Sequence, residues 1–175
     1  MFMNDTGTVT AKLVINGKEI EVMINPDELS GIIFKKETGY ERVDKYKSYF
    51  YESSDGTIGE CTEENTSVSQ DDYDAANYYS NYTVAENNAR ADKLIRQLRR
   101  FAVEHRKLDL DWCNSKQKKY YILYDHQCDH VFIQEGTYVH NIGAVYFDSK
   151  DSVKLAIETF HDELVWYFTE YKDSL

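Results

Sequence analysis

Cysteine, proline and positive charge are all scarce in this chain, and each shortage narrows what it can be. Three cysteines in 175 residues, an odd number, argue against a disulfide framework and for a reducing, cytoplasmic setting. No apolar run approaches the roughly 20 residues that a membrane-spanning helix needs. The opening stretch MFMNDTGTV has neither the basic nor the apolar region of a secretory signal, so no export is expected. Twenty Lys and Arg stand against 31 Asp and Glu, a net charge of −11. Such a chain is repelled at long range by nucleic acid and by anionic membranes. The acidity serves solubility or suits a basic partner, such as the nucleic-acid channel of another protein. Catalytic signatures are missing as well. There is no glycine-rich phosphate loop, no Gly-x-Ser-x-Gly, no His-Glu-x-x-His and no Cys-x-x-Cys. The expectation is therefore a protein that is not an enzyme, with no catalytic residues and no cofactor.

What is abundant is tyrosine: fifteen, beside a single proline, which suits half-buried strands. Thr8–Ile15 and Lys18–Ile24 are β-rich runs around Asn16-Gly17, a strong hairpin signal. Asn25-Pro26 then opens a short helix over Asp27–Lys36. Tyr46–Tyr51 and Thr57–Thr62 form a second hairpin around Ser53-Ser54-Asp55-Gly56. From Glu52 to Asp74 there are eight acids and no Lys or Arg, and part of this stretch is expected to be mobile. Thr83–Lys107 is the clearest helix: Ala91, Leu94, Ile95, Leu98, Phe101 and Ala102 share one face, and Thr83 with Glu86 fits a capping box. After a loop at Asp109–Lys118, Lys119–Tyr124, Val131–Gln134 and Gly143–Phe147 read as strands. Ser149 caps a last helix, Lys150–Tyr171, with a stripe of Val153, Ala156, Ile157, Phe160, Leu164 and Phe168. The expected fold is α+β, with antiparallel hairpins and two long helices. The expected division is 1–38, 39–108 and 109–175, either as separate units or packed as one compact domain.

The last two parts read as copies of each other. Tyr51-Glu52 then Ile58 matches Tyr124-Asp125 then Val131, and Tyr78-Tyr79-Ser80-Asn81 matches Tyr146-Phe147-Asp148-Ser149. Each copy reads strand, turn, strand, strand, helix. The repeat bears on the stretch most suggestive of chemistry, Asp125-His126-Gln127-Cys128-Asp129-His130. It falls where the first copy has the ordinary turn ESSDGT. A structural zinc takes four ligands from spaced pairs, so this cluster would have to recruit Cys113 or His140. The stretch is therefore read as a turn, with no metal site.

The long helix carries seven cations (Arg90, Lys93, Arg96, Arg99, Arg100, Arg106, Lys107) and three acids, so the rest of the chain is more acidic still. Three readings stay open. Arg96, Arg99, Arg100 and Arg106 bind phosphates as a strip, they pair with the chain's own acidic segment or a second copy in a homodimer, or they only solvate the helix. The acids Glu60, Glu63, Glu64, Asp71, Asp72 and Asp74 are the candidate partner-binding surface. Tyr46, Tyr49, Tyr51, Tyr73, Tyr78, Tyr79 and Tyr82 either pack sheet faces or offer a stacking platform for bases, and the surrounding negative charge favours packing.

The stretches GYERVDKYKSYFYESSDGTIGECTE, ANYYSNYTVAE, RQLRRFAVEH and LDWCNSKQKKYYILYDH…GAVYFDSKDSVKLAIETF resemble a group of small proteins encoded by phages and prophages of Gram-positive bacteria. The likeness spans Gly39–Phe168 and lies in the order of elements: tyrosine-rich hairpin, Asn-aromatic-aromatic before a helix, a loop with Asp-Trp, a second hairpin, and aromatic-Phe-x-Ser before a second helix. This chain has Tyr79 and Asn81 where the pattern has Phe and Thr, which predicts a weaker cap. The resemblance implies a phage setting and a place in the host cytoplasm. It points to a host protein as partner, a CRISPR effector nuclease or another nucleic-acid-binding protein, inhibited in the manner of an anti-CRISPR. The alternatives are a nucleic-acid-binding regulatory module using the arginine helix, or a virion or assembly component.

Overall fold

Two short hairpins recur along the chain, and in each a single residue from farther on adds a bridge to the first strand. In the computed structural model the described residues are the strand segments 9–15 and 18–24 and the continuous segment 37–171. The chain divides into two units, Met1–Lys36 and Glu37–Leu175. In the first, β1 (Val9–Ile15) pairs antiparallel with β2 (Lys18–Ile24), Ile15 opposite Lys18 and Val9 opposite Ile24. The Asn16-Gly17 turn and the helix expected over Asp27–Lys36 lie outside the described residues.

In the second unit β3 (Ser48–Glu52) pairs antiparallel with β4 (Ile58–Thr62). Gly56, at φ 85°, and the Asp55 carboxylate, which accepts from the Thr57 N–H and hydroxyl, shape the turn between them. Helix α1 (Ser67–Asp74) follows, its N-terminus capped by Thr66. The acidic stretch expected to be mobile is thus largely strand and helix, because Thr66 satisfies the Ser69 N–H at the helix start. Helix α2 (Tyr82–Glu104) begins one residue before its expected start and ends three before its expected end. Its cap is Asn81, whose side chain accepts from the Val84 N–H, not the Thr83–Glu86 box. Asn is at least as good a cap as Thr, so the weaker cap expected at Asn81 is not found.

Strands β5 (Lys119–Asp125) and β6 (His130–Gly136) form the third antiparallel hairpin. Gly143–Phe147 is not a full strand. Only Phe147 pairs, in a bridge with Tyr120 that mirrors the bridge of Tyr79 with Phe50. The helix expected over Lys150–Tyr171 is two: α3 (Lys150–Thr159), capped by Ser149, and α4 (His161–Thr169). The backbone leaves the helical region at Phe160 (φ −114°, ψ 21°), which sets that ring edge-on to Phe101 at 5.6 Å.

The repeat is visible in detail. Tyr78 and Tyr146 are both buried, and each hydroxyl pins a loop. Tyr78 accepts from the Val43 N–H and donates to Glu63; Tyr146 accepts from the Asn141 N–H and donates to the Val139 carbonyl. The bridges make Tyr120 the counterpart of Phe50. β5 and β6 are seven residues long where β3 and β4 have five, so the turn-based alignment of Tyr51 with Tyr124 does not carry down to the bridges.

The halves 39–108 and 109–175 share a core rather than standing apart. Leu94, Leu98 and Ala102 of α2 are buried with Phe147, Val153, Ala156 and Leu164, and Ile95, Phe101, Ile122 and Ile133 pack around them. A smaller cluster of Tyr79, Val84 and Ala85 closes over Tyr40, Phe50 and Ile58. Gly39 joins this cluster through backbone alone. Its φ is 88°, its carbonyl accepts from the Ser80 N–H, and an added Cβ would lie 2.6 Å from Val84 Cγ2. Gly39→Ala is expected to cost about 1–3 kcal/mol, combining a left-handed backbone with overpacking, read as a lower denaturant midpoint.

Candidate interaction surfaces

Glu63 follows β4 and its backbone extends the hairpin, donating to the Lys47 carbonyl and accepting from the Tyr46 N–H. That register turns its side chain inward, where it is fully buried. Oε2 accepts from Arg42 Nε at 2.9 Å and from the Tyr78 hydroxyl at 3.0 Å. Oε1 accepts from the Ser69 hydroxyl at 2.7 Å and the Asn65 N–H at 2.6 Å. The Arg42 bond is the main cause that holds this carboxyl down at about 2, against the opposing effect of burial. Glu63 is therefore removed from the expected partner-binding surface. A sequence cannot distinguish it from its neighbour Glu64, which is exposed.

The other acids divide. Asp72 is half-buried and accepts from the Tyr49 hydroxyl at 2.8 Å. Glu60, Glu64, Asp71 and Asp74 are exposed. Glu60 and Glu64 line a hollow of about 480 Å³ beside Thr66 and Val68. Asp71 lies one helical turn beyond Val68, and Asp74 three residues farther, so the acids continue along α1. None of these four is ion-paired among the described residues.

The arginines of α2 do not form one strip. Arg96 and Arg100, with Lys93, face the β3–β4 turn across a hollow of about 390 Å³. Arg96 donates to Glu52 at 2.6 Å, and Arg100 lies 3.9 Å from Glu104. Arg90 pairs with Glu163 at 2.8 Å and lies 3.9 Å over the Trp166 ring. Arg99, on another side of the helix, and Arg106, just past its C-terminus, sit around a groove that includes Trp112 and His140. There Trp112 stacks on His140 at 4.2 Å, and the buried Nε of Arg106 has no hydrogen-bond partner among the described residues.

No protein-family model, curated protein or solved structure matches the chain. Function is therefore read from the surface itself. Tyr49, Tyr78 and Tyr79 are buried, with Tyr49 and Tyr78 stacked at 4.1 Å, so they pack the fold rather than offer faces to bases. Burial pushes the Tyr78 and Tyr79 phenols up to about 12, and Tyr46, Tyr73 and Tyr82 are exposed. The Asp125–His130 stretch is the closing pair and turn of the β5–β6 hairpin, as its counterpart between β3 and β4 implies. The Asp125 carboxyl lies below the usual carboxylate range because it accepts from the Gln127 and Cys128 N–H groups. Among the described residues no helix is long and apolar enough to cross a membrane.

Two features escaped the sequence reading. One is the Arg42–Glu63 pair, whose partners stand 21 residues apart with no periodic signal. The other is Lys119, fully buried at the start of β5. The repeat held a clue to it: counting back from the bridging Tyr120, Lys119 stands where the first copy has the buried Tyr49.

Proposed function

We propose that this chain is a non-enzymatic binding protein that inhibits a host nucleic-acid-handling or defence protein by setting an acidic face on its nucleic-acid-binding surface. The observation that carries the reading is the division of charge. Arg90, Arg96 and Arg100 are ion-paired to acids of the same chain, whereas Glu60, Glu64, Asp71 and Asp74 are exposed and unpaired among the described residues. Three cations of the long helix are thus taken up by the chain's own acids, while these four carboxylates stand outside any ion pair among the described residues, on a chain of net charge −11. Fixed carboxylates on a hydrogen-bonded hairpin and helix resemble a row of phosphates, and complementary charge accelerates and orients docking on a basic channel. The resemblance to phage-encoded proteins supports a bacterial host and an anti-CRISPR-like role, with a CRISPR effector nuclease among the fitting targets.

The quadruple variant E60Q/E64Q/D71N/D74N tests the reading. Each site is exposed, so the fold is expected to change by no more than about 0.5 kcal/mol per site. When lysate of a Gram-positive host is passed over both proteins, the wild type is expected to retain a basic nucleic-acid-binding protein that salt releases, and the variant to lose it. Equal retention of that protein by the variant would exclude the acidic face as the docking site.

A further inference from the structure

The β5–β6 turn gathers three side chains of different donor type that the interaction surface does not use. Asp125 and His130 are the last register pair of the hairpin, directly opposite each other, and directly opposed residues of a sheet project to the same face. Cys128 enters from the turn, where Asp129 reverses the chain at φ 55°. One carboxylate oxygen, one ring nitrogen and the Cys128 Sγ all lie within 4.8 Å of one another. We propose that Asp125, Cys128 and His130 bind a borderline-soft divalent cation of the zinc class, with water completing the coordination in the free protein.

The donor chemistry supports the choice of metal. Thiolate and imidazole select zinc and its neighbours over magnesium or calcium, which take all-oxygen shells. Bonds of about 2.0–2.3 Å in a tetrahedron need ligand atoms about 3.3–3.8 Å apart, a closure that small side-chain rotations supply from this starting geometry. The Asp125 carboxylate is already oriented: Oδ1 accepts from the Gln127 N–H at 2.8 Å and the Cys128 N–H at 3.2 Å, leaving Oδ2 to a metal. Cys128 and His130 are exposed, so an ion has open access. The two remaining metal-capable residues of the turn are otherwise engaged, His126 edge-on to the Tyr124 ring and Asp129 with the Tyr124 hydroxyl. The turn itself does not require this set. The β3–β4 hairpin closes with Ser53–Thr57 through backbone bonds and the Asp55 carboxylate, with no thiol or imidazole. Three donors in a compact turn also dispense with the distant ligands, Cys113 or His140, that a fully closed structural site would demand.

The test is a titration of the reduced full chain with Co²⁺, followed by Zn²⁺. The expected result is a saturable thiolate-to-cobalt charge-transfer band with tetrahedral visible absorption, abolished by Zn²⁺. C128S should lose the charge-transfer band, and H130A should weaken Co²⁺ binding at least tenfold while keeping it. C113S, which alters an exposed cysteine outside the turn, should behave as the wild type. Circular dichroism checks that each variant is folded. No saturable band in the folded wild type, a band that survives C128S, or one that C113S removes would overturn the proposal.

Discussion

Lys119→Met is expected to destabilise the Glu37–Leu175 unit by about 3–5 kcal/mol, the combined cost of several carbonyl acceptors losing their donor. The Lys119 ammonium is fully buried and donates to the carbonyl oxygens of Asp111, Asn114, Gln117 and Thr137, at 2.5, 3.2, 3.0 and 2.7 Å. It also lies 5.3 Å from the centre of the Trp112 ring. The loop before β5 thus folds around a cation supplied by the chain. Methionine fills much the same volume but leaves four carbonyl dipoles converging on an apolar tip, and each buried acceptor without a donor costs about 1–3 kcal/mol. Arginine is not a substitute, since a planar fork cannot point its donors at four converging oxygens. The denaturant midpoint of K119M measures the effect. A midpoint equal to wild type would show that water satisfies these carbonyls and that the ammonium is not what orders the loop.

Glu63→Gln carries the second large effect, about 2–4 kcal/mol near neutral pH, tempered because Arg42 is partly exposed. Glutamine keeps the shape but not the charge that accepts from Arg42, Ser69, Asn65 and Tyr78. The effect depends on pH with a definite sign. The folded carboxyl is depressed to about 2 from its ordinary 4.5. Its stabilising contribution is complete above about pH 4.5 and is lost as pH falls from there towards 2. Wild type and E63Q should therefore differ most at neutral pH and converge in acid. Glu41, also held at about 2 by bonds from Thr38 and Gly39, titrates in the same window and remains in both proteins, so the difference between them isolates Glu63. A pH-independent gap would show that what glutamine loses is an acceptor oxygen, its NH2 facing other donors, rather than the charge of Glu63.

The α+β class, the hairpin positions and the core faces of α2 and α3 were legible in the sequence, because periodicity and turn chemistry are local. Leu94, Leu98, Val153 and Ala156 fall on the stripes expected of them. The internal repeat was legible as element order, and the paired bridges at Tyr79 and Phe147 show why: each half feeds an aromatic residue back onto its own hairpin before its helix begins. The break at Phe160 was not legible, since no proline or glycine marks it. On the surface, the acidic segment was readable as a run, yet the inward turn of Glu63 depends on its pairing with Lys47 and on Arg42, both distant in sequence. The arginines were readable as a cluster, but their separation into two groups, with Arg96 taken up by Glu52, follows from where the β3–β4 hairpin packs.

The most direct test of the acidic-face account is competition. A host protein captured on the immobilised wild-type chain is challenged with duplex and single-stranded nucleic acid at constant ionic strength. The account predicts that the nucleic acid the host protein normally binds displaces it, and that the E60Q/E64Q/D71N/D74N variant fails to capture it at all. A stable ternary complex of chain, host protein and nucleic acid would contradict the claim that the carboxylates occupy the nucleic-acid site.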